Sequence, residues 1–165
     1  MAHSHEAAPH GPHSAPLPAD SEPPGGGPDV RAPRLASVVL FVHDHDESAG
    51  FYRELLNMEV TVRTPTAALL VGHTGFQVYL RAVGPHAAHP VGHVGAQYVI
   101  WTADGPGDFQ RCERVLRARS EHVYTRKAEG FTLLEGKDPS GLPVLVAYPG
   151  PDEVARLEII ARYYV

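Results

Sequence analysis

One pattern of predicted elements occurs twice in this sequence, and this repeat restricts the possible folds more than any other feature. Hydrophobic periodicity predicts a strand, a helix and three further strands over residues 35–82, and the same order over residues 94–149. Residues 37–44, which end at an aspartate, also align with residues 97–104, which end at another. Repeated units predict two similar modules packed together. We therefore expect an α+β fold in which two tandem βαβββ modules form a curved, cupped mixed sheet with the helices outside.

The predicted elements have definite bounds in both copies. The helices are expected at 47–57, capped by Asp46 or Ser48, and at 108–119, capped by Asp108. The strands are expected at 35–43, 58–64, 67–72 and 76–82 in the first copy, and at 94–103, 121–126, 130–135 and 142–148 in the second.

The two ends of the chain differ in composition from the repeat. Residues 1–34 contain eight of the sixteen prolines, no aromatic residue and four histidines (His3, His5, His10 and His13), so we expect a disordered tail. Residues 150–165 carry apolar side chains at helical spacing. They predict a C-terminal helix or arm that docks on its own domain or on a second subunit. The folded domain is therefore expected at 35–149.

Composition excludes several classes of protein. The net charge is −5 and the 14 Lys and Arg residues are scattered, which argues against nucleic acid as a partner. No apolar run is long enough to span a membrane and no leader segment is evident, so we expect a cytoplasmic protein without a membrane partner. The single cysteine, Cys112, allows no internal disulfide, and its helical spacing is typical of a core residue.

Strand alternation predicts a ligand cavity on the sheet face opposite the helices. In the first strand, Val38, Leu40 and Val42 are expected under the helix. In the second copy, Tyr98 and Ile100 are expected there. The residues predicted to line the cavity from this alternation are Ser37, Phe41, Gln77, Tyr79, Arg81, Gln97, Val99 and Trp101.

Two segments resemble a known superfamily. SVVLFVHDHDESAGFYRELLNMEV (37–60) is similar to the opening strand and helix of the vicinal oxygen chelate superfamily, and EGFTLLEGKDPSGLPVLVAYP (129–149) is similar to its closing hairpin. That superfamily includes glyoxalase I, extradiol dioxygenases, fosfomycin-modifying enzymes and bleomycin-resistance proteins. The resemblance implies two cupped βαβββ modules and a homodimer, but it does not define an activity because members share a scaffold.

The resemblance also implies where a divalent metal would bind. Enzymes of the superfamily hold it with His or Glu from the first and last strands of each module. The matching positions here are Ser37, Gln97, Tyr79 and Leu145, and the resemblance thus adds Leu145 to the residues expected to contact a ligand. Because none is a histidine or a carboxylate, we expect no metal cofactor.

Other residues keep metal-dependent and catalytic alternatives open. His86, His89 and His93 have a spacing that reaches one metal in a helix, although Pro85 and Pro90 interrupt such a helix. His43 and His45 are expected to face solvent. The candidate acid–base residues are His93, Tyr79 and Glu135.

Three functions follow from these observations. The first is metal-independent binding of an aromatic or planar small molecule. The second is an enzyme, either a lyase, isomerase or dioxygenase using Fe, Mn, Ni or Zn, or a metal-free acid–base catalyst. The third is an interaction module whose cavity is closed by its own side chains.

Overall fold

The computed structural model describes residues 34–88 and 97–154 together with residues 156 and 159. The expected disordered tail lies outside the described residues, except for Arg34. From Leu35 onward the described residues belong to one compact unit. None of the described helices is both long and apolar enough to cross a lipid bilayer.

The first module has the predicted βαβββ order. It consists of β1 (Ser37–Val42), α1 (His45–Leu56), β2 (Glu59–Thr64), β3 (Ala67–Val71) and β4 (Gln77–Ala82). The strands form one sheet in the order β1-β4-β3-β2, in which β1 runs parallel to β4 and the other pairs are antiparallel. This sheet is therefore mixed, with β1 at one edge.

The second module repeats this arrangement. It consists of β5 (Val99–Thr102), α2 (Pro106–Arg119), β6 (Tyr124–Lys127), β7 (Thr132–Lys137) and β8 (Pro143–Tyr148). Its sheet has the equivalent order β5-β8-β7-β6, with β5 at one edge and parallel to β8. The predicted α+β fold of two βαβββ modules is thus confirmed, as two mixed sheets rather than one closed sheet.

Capping residues define the ends of α1. The Asp44 side chain accepts hydrogen bonds from the backbone N–H groups of Asp46 and Glu47, and these bonds lower the pKa of its carboxyl group. The helix therefore begins at His45, two residues before the predicted start. At its other end Asn57 adopts the left-handed conformation, with φ of 51°, and ends the helix.

The start of α2 differs from the prediction. Its N-cap is Gly105, which makes no side-chain capping bond, and the helix begins at Pro106. Proline is well suited to a first helical position because its φ is already helical and an N–H there would have no partner in the helix. Asp108 lies in the first turn and pairs with Arg111, so it is not the cap that the sequence predicted.

The core lies between the two helices and the sheets. Phe51 and Leu55 of α1 and Leu116 of α2 are fully buried together with Leu80 of β4 and other strand residues. Cys112 is also buried, as predicted, and its thiol donates to the carbonyl of Leu55 at 3.3 Å. Residues on one face of each sheet therefore pack under the helices. The opposite face of each sheet is called its open face below.

The closing hairpin of the second module is tied to the first module. Asp138 accepts a hydrogen bond from the Tyr52 hydroxyl at 3.0 Å, and its other carboxylate oxygen accepts from the backbone N–H groups of Ser140 and Leu142. The backbone N–H of His43 donates to the Ser140 hydroxyl at 2.9 Å. These bonds fix the end of β1 and helix α1 against the loop that precedes β8.

Candidate functional site

The open face of the first module exposes a group of apolar side chains. Phe41 is 69% exposed, Val39 is 61% exposed and Tyr79 is 39% exposed. They are adjacent because Val39 pairs with Tyr79 across the parallel strands β1 and β4. Val38, Leu40 and Val42 pack on the helix side, as the alternation predicted. Contiguous exposed apolar surface of this kind is typical of binding surfaces.

Polar groups lie beside this apolar surface. Ser37 pairs with Gln77 and Phe41 pairs with Arg81 in the β1–β4 register. The Tyr79 hydroxyl donates to the side-chain oxygen of Gln77 at 2.9 Å. Five residues predicted to line the cavity therefore share one face: Ser37, Phe41, Gln77, Tyr79 and Arg81.

A cavity of about 530 Å³ lies between the edge strands of the two sheets. We call it the edge cavity. Val39 and Phe41 of β1 line it on one side, and Gln97, Tyr98 and Val99 line it on the other. His43 and Ser140 add polar groups at one end. Its size and mostly apolar lining are those of a small-molecule site.

The open face of the second module carries different residues from those expected. Val99 and Trp101 of β5 pair with Val144 and Val146, which are buried in the core on the helix side. Ile100 pairs instead with Leu145 on the open face. The faces predicted for Val99, Trp101 and Ile100 are therefore reversed.

Tyr98 is reversed in the same way, because it packs with the open-face cluster rather than under α2. The cause is an error of one residue in the alignment of the two copies. The cap of α1 is Asp44, but the cap of α2 is Gly105 and not Asp104. Side chains alternate along a strand, so a shift of one residue moves each of them to the opposite face.

The C-terminal arm covers part of the second module's open face. Phe131, Leu133, Leu145 and Ala147 form a buried cluster there, against which Val154 and Ile159 pack. Leu145, predicted to contact a ligand, is fully buried. The apolar residues at helical spacing in 150–165 also include Leu157, Ile160 and Tyr164. These three lie outside the described residues.

Arg156 holds this arm in place. Its guanidinium donates to the Pro149 carbonyl at 2.6 Å and lies 5.9 Å from the centre of the Phe131 ring. Burial lowers the pKa of its side chain. The two open faces therefore differ, since that of the first module exposes its apolar residues.

The positions that would hold a metal in relatives do not form a metal site. Tyr98 stands as far before the cap Gly105 as Ser37 stands before the cap Asp44, so Tyr98 replaces Gln97 in this set. The four positions are then Ser37, Tyr79, Tyr98 and Leu145. Hydroxyl groups and an aliphatic side chain are poor ligands for a divalent metal. These residues do not fit the metal that the family resemblance implies.

Other candidate metal ligands have separate structural roles. Asp44, His45 and Asp46 are close together, but Asp44 caps α1 and Asp46 pairs with Arg63. His45 is buried, so the expectation that it faces solvent is wrong.

The remaining predicted catalytic and metal-binding residues are dispersed. His43 is half-buried and its imidazole bonds with the Ala87 carbonyl at 2.7 Å, instead of facing solvent freely. His86 is exposed, while His89 and His93 lie outside the described residues. Glu135 is half-buried and pairs with Leu145, which places it on the second module's open face, whereas Tyr79 lies on that of the first.

Sequence reasoning missed Tyr98, His43 and Ser140 as cavity residues. The available signal was the Asp-Pro-Ser-Gly hairpin, which was recognised only as a family feature. Its Ser140 bond to His43 is a contact between residues far apart in sequence, and no local spacing predicts it.

Comparisons with known proteins agree with this architecture. The family model described as Glyoxalase/Bleomycin resistance protein/Dioxygenase superfamily matches residues 34–146, which is more than half of the chain. A comparison with curated proteins returned no significant match.

Solved structures similar to this chain have the same fold at low sequence identity. A glyoxylase/bleomycin resistance protein/dioxygenase domain from Frankia sp. EAN1pec is 20% identical with a TM-score of 0.61, and the match covers 71% of this chain and 98% of that one. Lactoylglutathione lyase from Agrobacterium tumefaciens is 21% identical with a TM-score of 0.52, covering 71% and 94%. Oxidase ChaP-H1 is 16% identical with a TM-score of 0.55, covering 72% and 98%. At these identities the similarity establishes the fold alone.

Proposed function

Since this chain belongs to the glyoxalase/bleomycin resistance protein/dioxygenase superfamily, we propose that it binds an aromatic or planar small molecule without a metal ion. The bound molecule is expected on the open face of the first module and in the adjoining edge cavity. One observation carries the proposal: an exposed aromatic surface stands beside hydrogen-bonding groups where metal-dependent relatives carry ligands.

The chemistry of the face suits a flat ligand with polar substituents. Phe41 and Tyr79 offer aromatic surfaces for stacking, and such contacts contribute about 0.5–1.5 kcal/mol each beyond the area they bury. Gln77 accepts from Tyr79 and retains two amide N–H donors. Arg81 adds a permanent cation next to Phe41, which favours a ligand with an anionic or electron-rich group.

Metal content tests the first half of the proposal. The full chain, with its four N-terminal histidines changed to asparagine, would be purified without a metal affinity column. It would then be incubated with Fe(II), Mn(II), Ni(II) or Zn(II), dialysed and measured by mass spectrometry. We expect far less than one retained metal per chain. About one tightly held metal per chain would contradict the proposal and favour the metal-dependent enzyme.

Ligand binding tests the second half. The fluorescent probe 8-anilinonaphthalene-1-sulfonate carries both an aromatic surface and an anion, and a library of planar aromatics would then compete with it. Loss of one stacking contact in Phe41→Ala or Tyr79→Ala should weaken probe binding by about tenfold. Tyr124→Ala is the matched control, because Tyr124 is also exposed but lies on β6 of the second module.

Equal probe affinity in the wild type and both variants would place binding elsewhere. Failure of the probe and of every library member to bind would favour the interaction module. Turnover of a bound library member in metal-free protein, lost in Tyr79→Phe, would favour an acid–base enzyme. The phenylalanine variant keeps the ring and removes only the hydroxyl, so it separates catalysis from stacking.

A further inference from the structure

A second pocket lies at the junction of the two modules, separate from the open face of the first. Its volume is about 400 Å³, and it shares only Val99 with the edge cavity. The end of α1 and the turn before β4 line it from the first module. Strand β5 and the first turns of α2 line it from the second. We call it the junction pocket.

The wall of the junction pocket is aromatic and aliphatic. The rings of Phe76 and Trp101 meet edge to face with their centres 5.5 Å apart, and the buried side chains of Leu55 and Val146 continue the apolar lining. Cys112 also lines it, but burial raises the pKa of its thiol to about 11. The thiol is therefore uncharged at neutral pH, and the wall suits an apolar group.

Charged groups surround the pocket, and most of them neutralise one another. The Arg111 guanidinium donates to Asp108 at 2.6 and 3.0 Å and also to the Glu54 carbonyl. The second oxygen of Asp108 accepts from the backbone N–H of Asp104 at 3.3 Å. This ion pair therefore presents little net charge to a ligand.

Asp104 is different because its partner is not a permanent cation. Its carboxylate is 78% exposed, and the His73 imidazole lies 3.6 Å away, a group that is charged only when protonated. Among the described residues lining the pocket, Asp104 is thus the carboxylate without an Arg or Lys partner. The charge of this lining favours a cation over an anion.

We propose that the junction pocket is a second binding site, for a small organic ammonium ion that carries an aromatic or other apolar group. The apolar group lies against Trp101 and Phe76, and the ammonium N–H groups donate to the Asp104 carboxylate. Trp101 also attracts the cation through its ring. The bound ion contacts residues of both modules. This proposal stands independently of binding on the open face.

Trp101 is the only tryptophan in the sequence, so its fluorescence reports on this pocket directly. The full chain would be titrated with 2-phenylethylammonium and, in parallel, with 3-phenylpropanoate, which has a similar apolar part and the opposite charge. We expect a saturable fluorescence change with the ammonium ion and at least about tenfold weaker binding of the carboxylate.

Variants locate the bound ion. Asp104→Asn should weaken ammonium binding by about tenfold, as expected for loss of a charge-assisted hydrogen bond. Glu121→Gln is the matched control, since it also removes one negative charge but lies beyond the opposite end of α2. The melting temperatures of both variants would establish that they fold.

Several results would overturn the proposal. They are the absence of a saturable change, equal binding of the two probes, and equal effects of Asp104→Asn and Glu121→Gln. Loss of ammonium binding in Phe41→Ala would place the ion on the open face instead. If Phe41→Ala weakens only the naphthalene sulfonate probe and Asp104→Asn weakens only the ammonium ion, two separate sites are supported. Each proposal can therefore fail without the other.

Discussion

At the scale of single residues, the hydrogen bond between Tyr52 and Asp138 has the clearest energetic consequence. It joins α1 of the first module to the closing hairpin of the second, and both groups are buried. Burial is the main cause that raises the pKa of Asp138, although three hydrogen bonds and nearby His43 act in the opposite direction. Burial also raises the pKa of Tyr52 well above its ordinary value. The folded protein therefore holds a proton on Asp138 more tightly than the unfolded chain does.

The pH dependence of stability should reveal this proton. A carboxyl group with a raised pKa in the folded state contributes most to stability at low pH, and this contribution is lost as the pH rises through the folded-state pKa. In Asp138→Asn this contribution is absent. We expect the stability of the wild type relative to Asp138→Asn to fall as the pH rises above about 4, the ordinary pKa of an aspartate, measured by urea denaturation.

Tyr52→Phe provides an independent measurement of the same contact. It removes the donor and leaves the buried carboxyl with one fewer partner, so it should destabilise the fold by about 1–3 kcal/mol. Asp152→Asn, at an exposed position, should leave the pH dependence unchanged. If the free energy of unfolding of the wild type changed with pH in parallel with that of Asp138→Asn, the inferred protonation would be contradicted.

At the scale of elements, the local signals and the long-range contacts can be separated. The alternation in β1 correctly predicted which residues of that strand face the helix, because Ser37 is polar whereas Val38, Leu40 and Val42 form an apolar set on the other face. The same reasoning failed for β5, where both alternate sets contain large apolar or aromatic side chains. Only the pairing of β5 with β8 decides which set enters the core.

The packing of the C-terminal arm can be tested through Gly130. A Cβ atom at this position would lie 2.5 Å from a methyl group of Val154, and Gly130 has φ of +81°. Gly75 has the same φ, but nothing lies within 4 Å of its missing Cβ. Gly75→Ala should therefore cost only the strain of a left-handed residue, about 1–2 kcal/mol.

Gly130→Ala should lower the free energy of unfolding by about 1–3 kcal/mol more than Gly75→Ala does, because it adds a clash with the arm. Combining it with Val154→Ala should recover most of this excess but none of the backbone strain. The measurement is the free energy of unfolding in urea. Equal costs for the two glycine substitutions would mean that the arm does not pack on the second module in solution.

At the scale of the whole molecule, the two modules share a fold but present different open faces. The exposed apolar residues Val39, Phe41, Val62 and Tyr79 belong to the first module's open face. In the second module the arm covers part of the equivalent surface and leaves Ile100 and Tyr124 exposed. The internal repeat therefore produces two open faces with different exposed surfaces rather than two equivalent sites.

The exposed face also bears on the homodimer implied by the family resemblance. We expect sedimentation velocity on the full chain to give the mass of a dimer that dissociates on dilution. Phe41→Ser should weaken association by at least about tenfold if the partner chain covers this face, because it removes a large apolar side chain from the interface. Tyr124→Ser, at an exposed aromatic residue of the other module, is the control. A monomer at every concentration would contradict the prediction.

By itself the sequence determined the repeat, the order of the ten elements and the polar and aromatic residues of the first open face. These features depend on local periodicity, capping and turn residues, which act over a few neighbouring positions. The tertiary structure decided that Trp101 packs against the core, that the arm packs on the cluster containing Leu145 and that His45 is buried. These outcomes depend on strand register and on contacts between residues distant in sequence, which the spacing of residues does not encode.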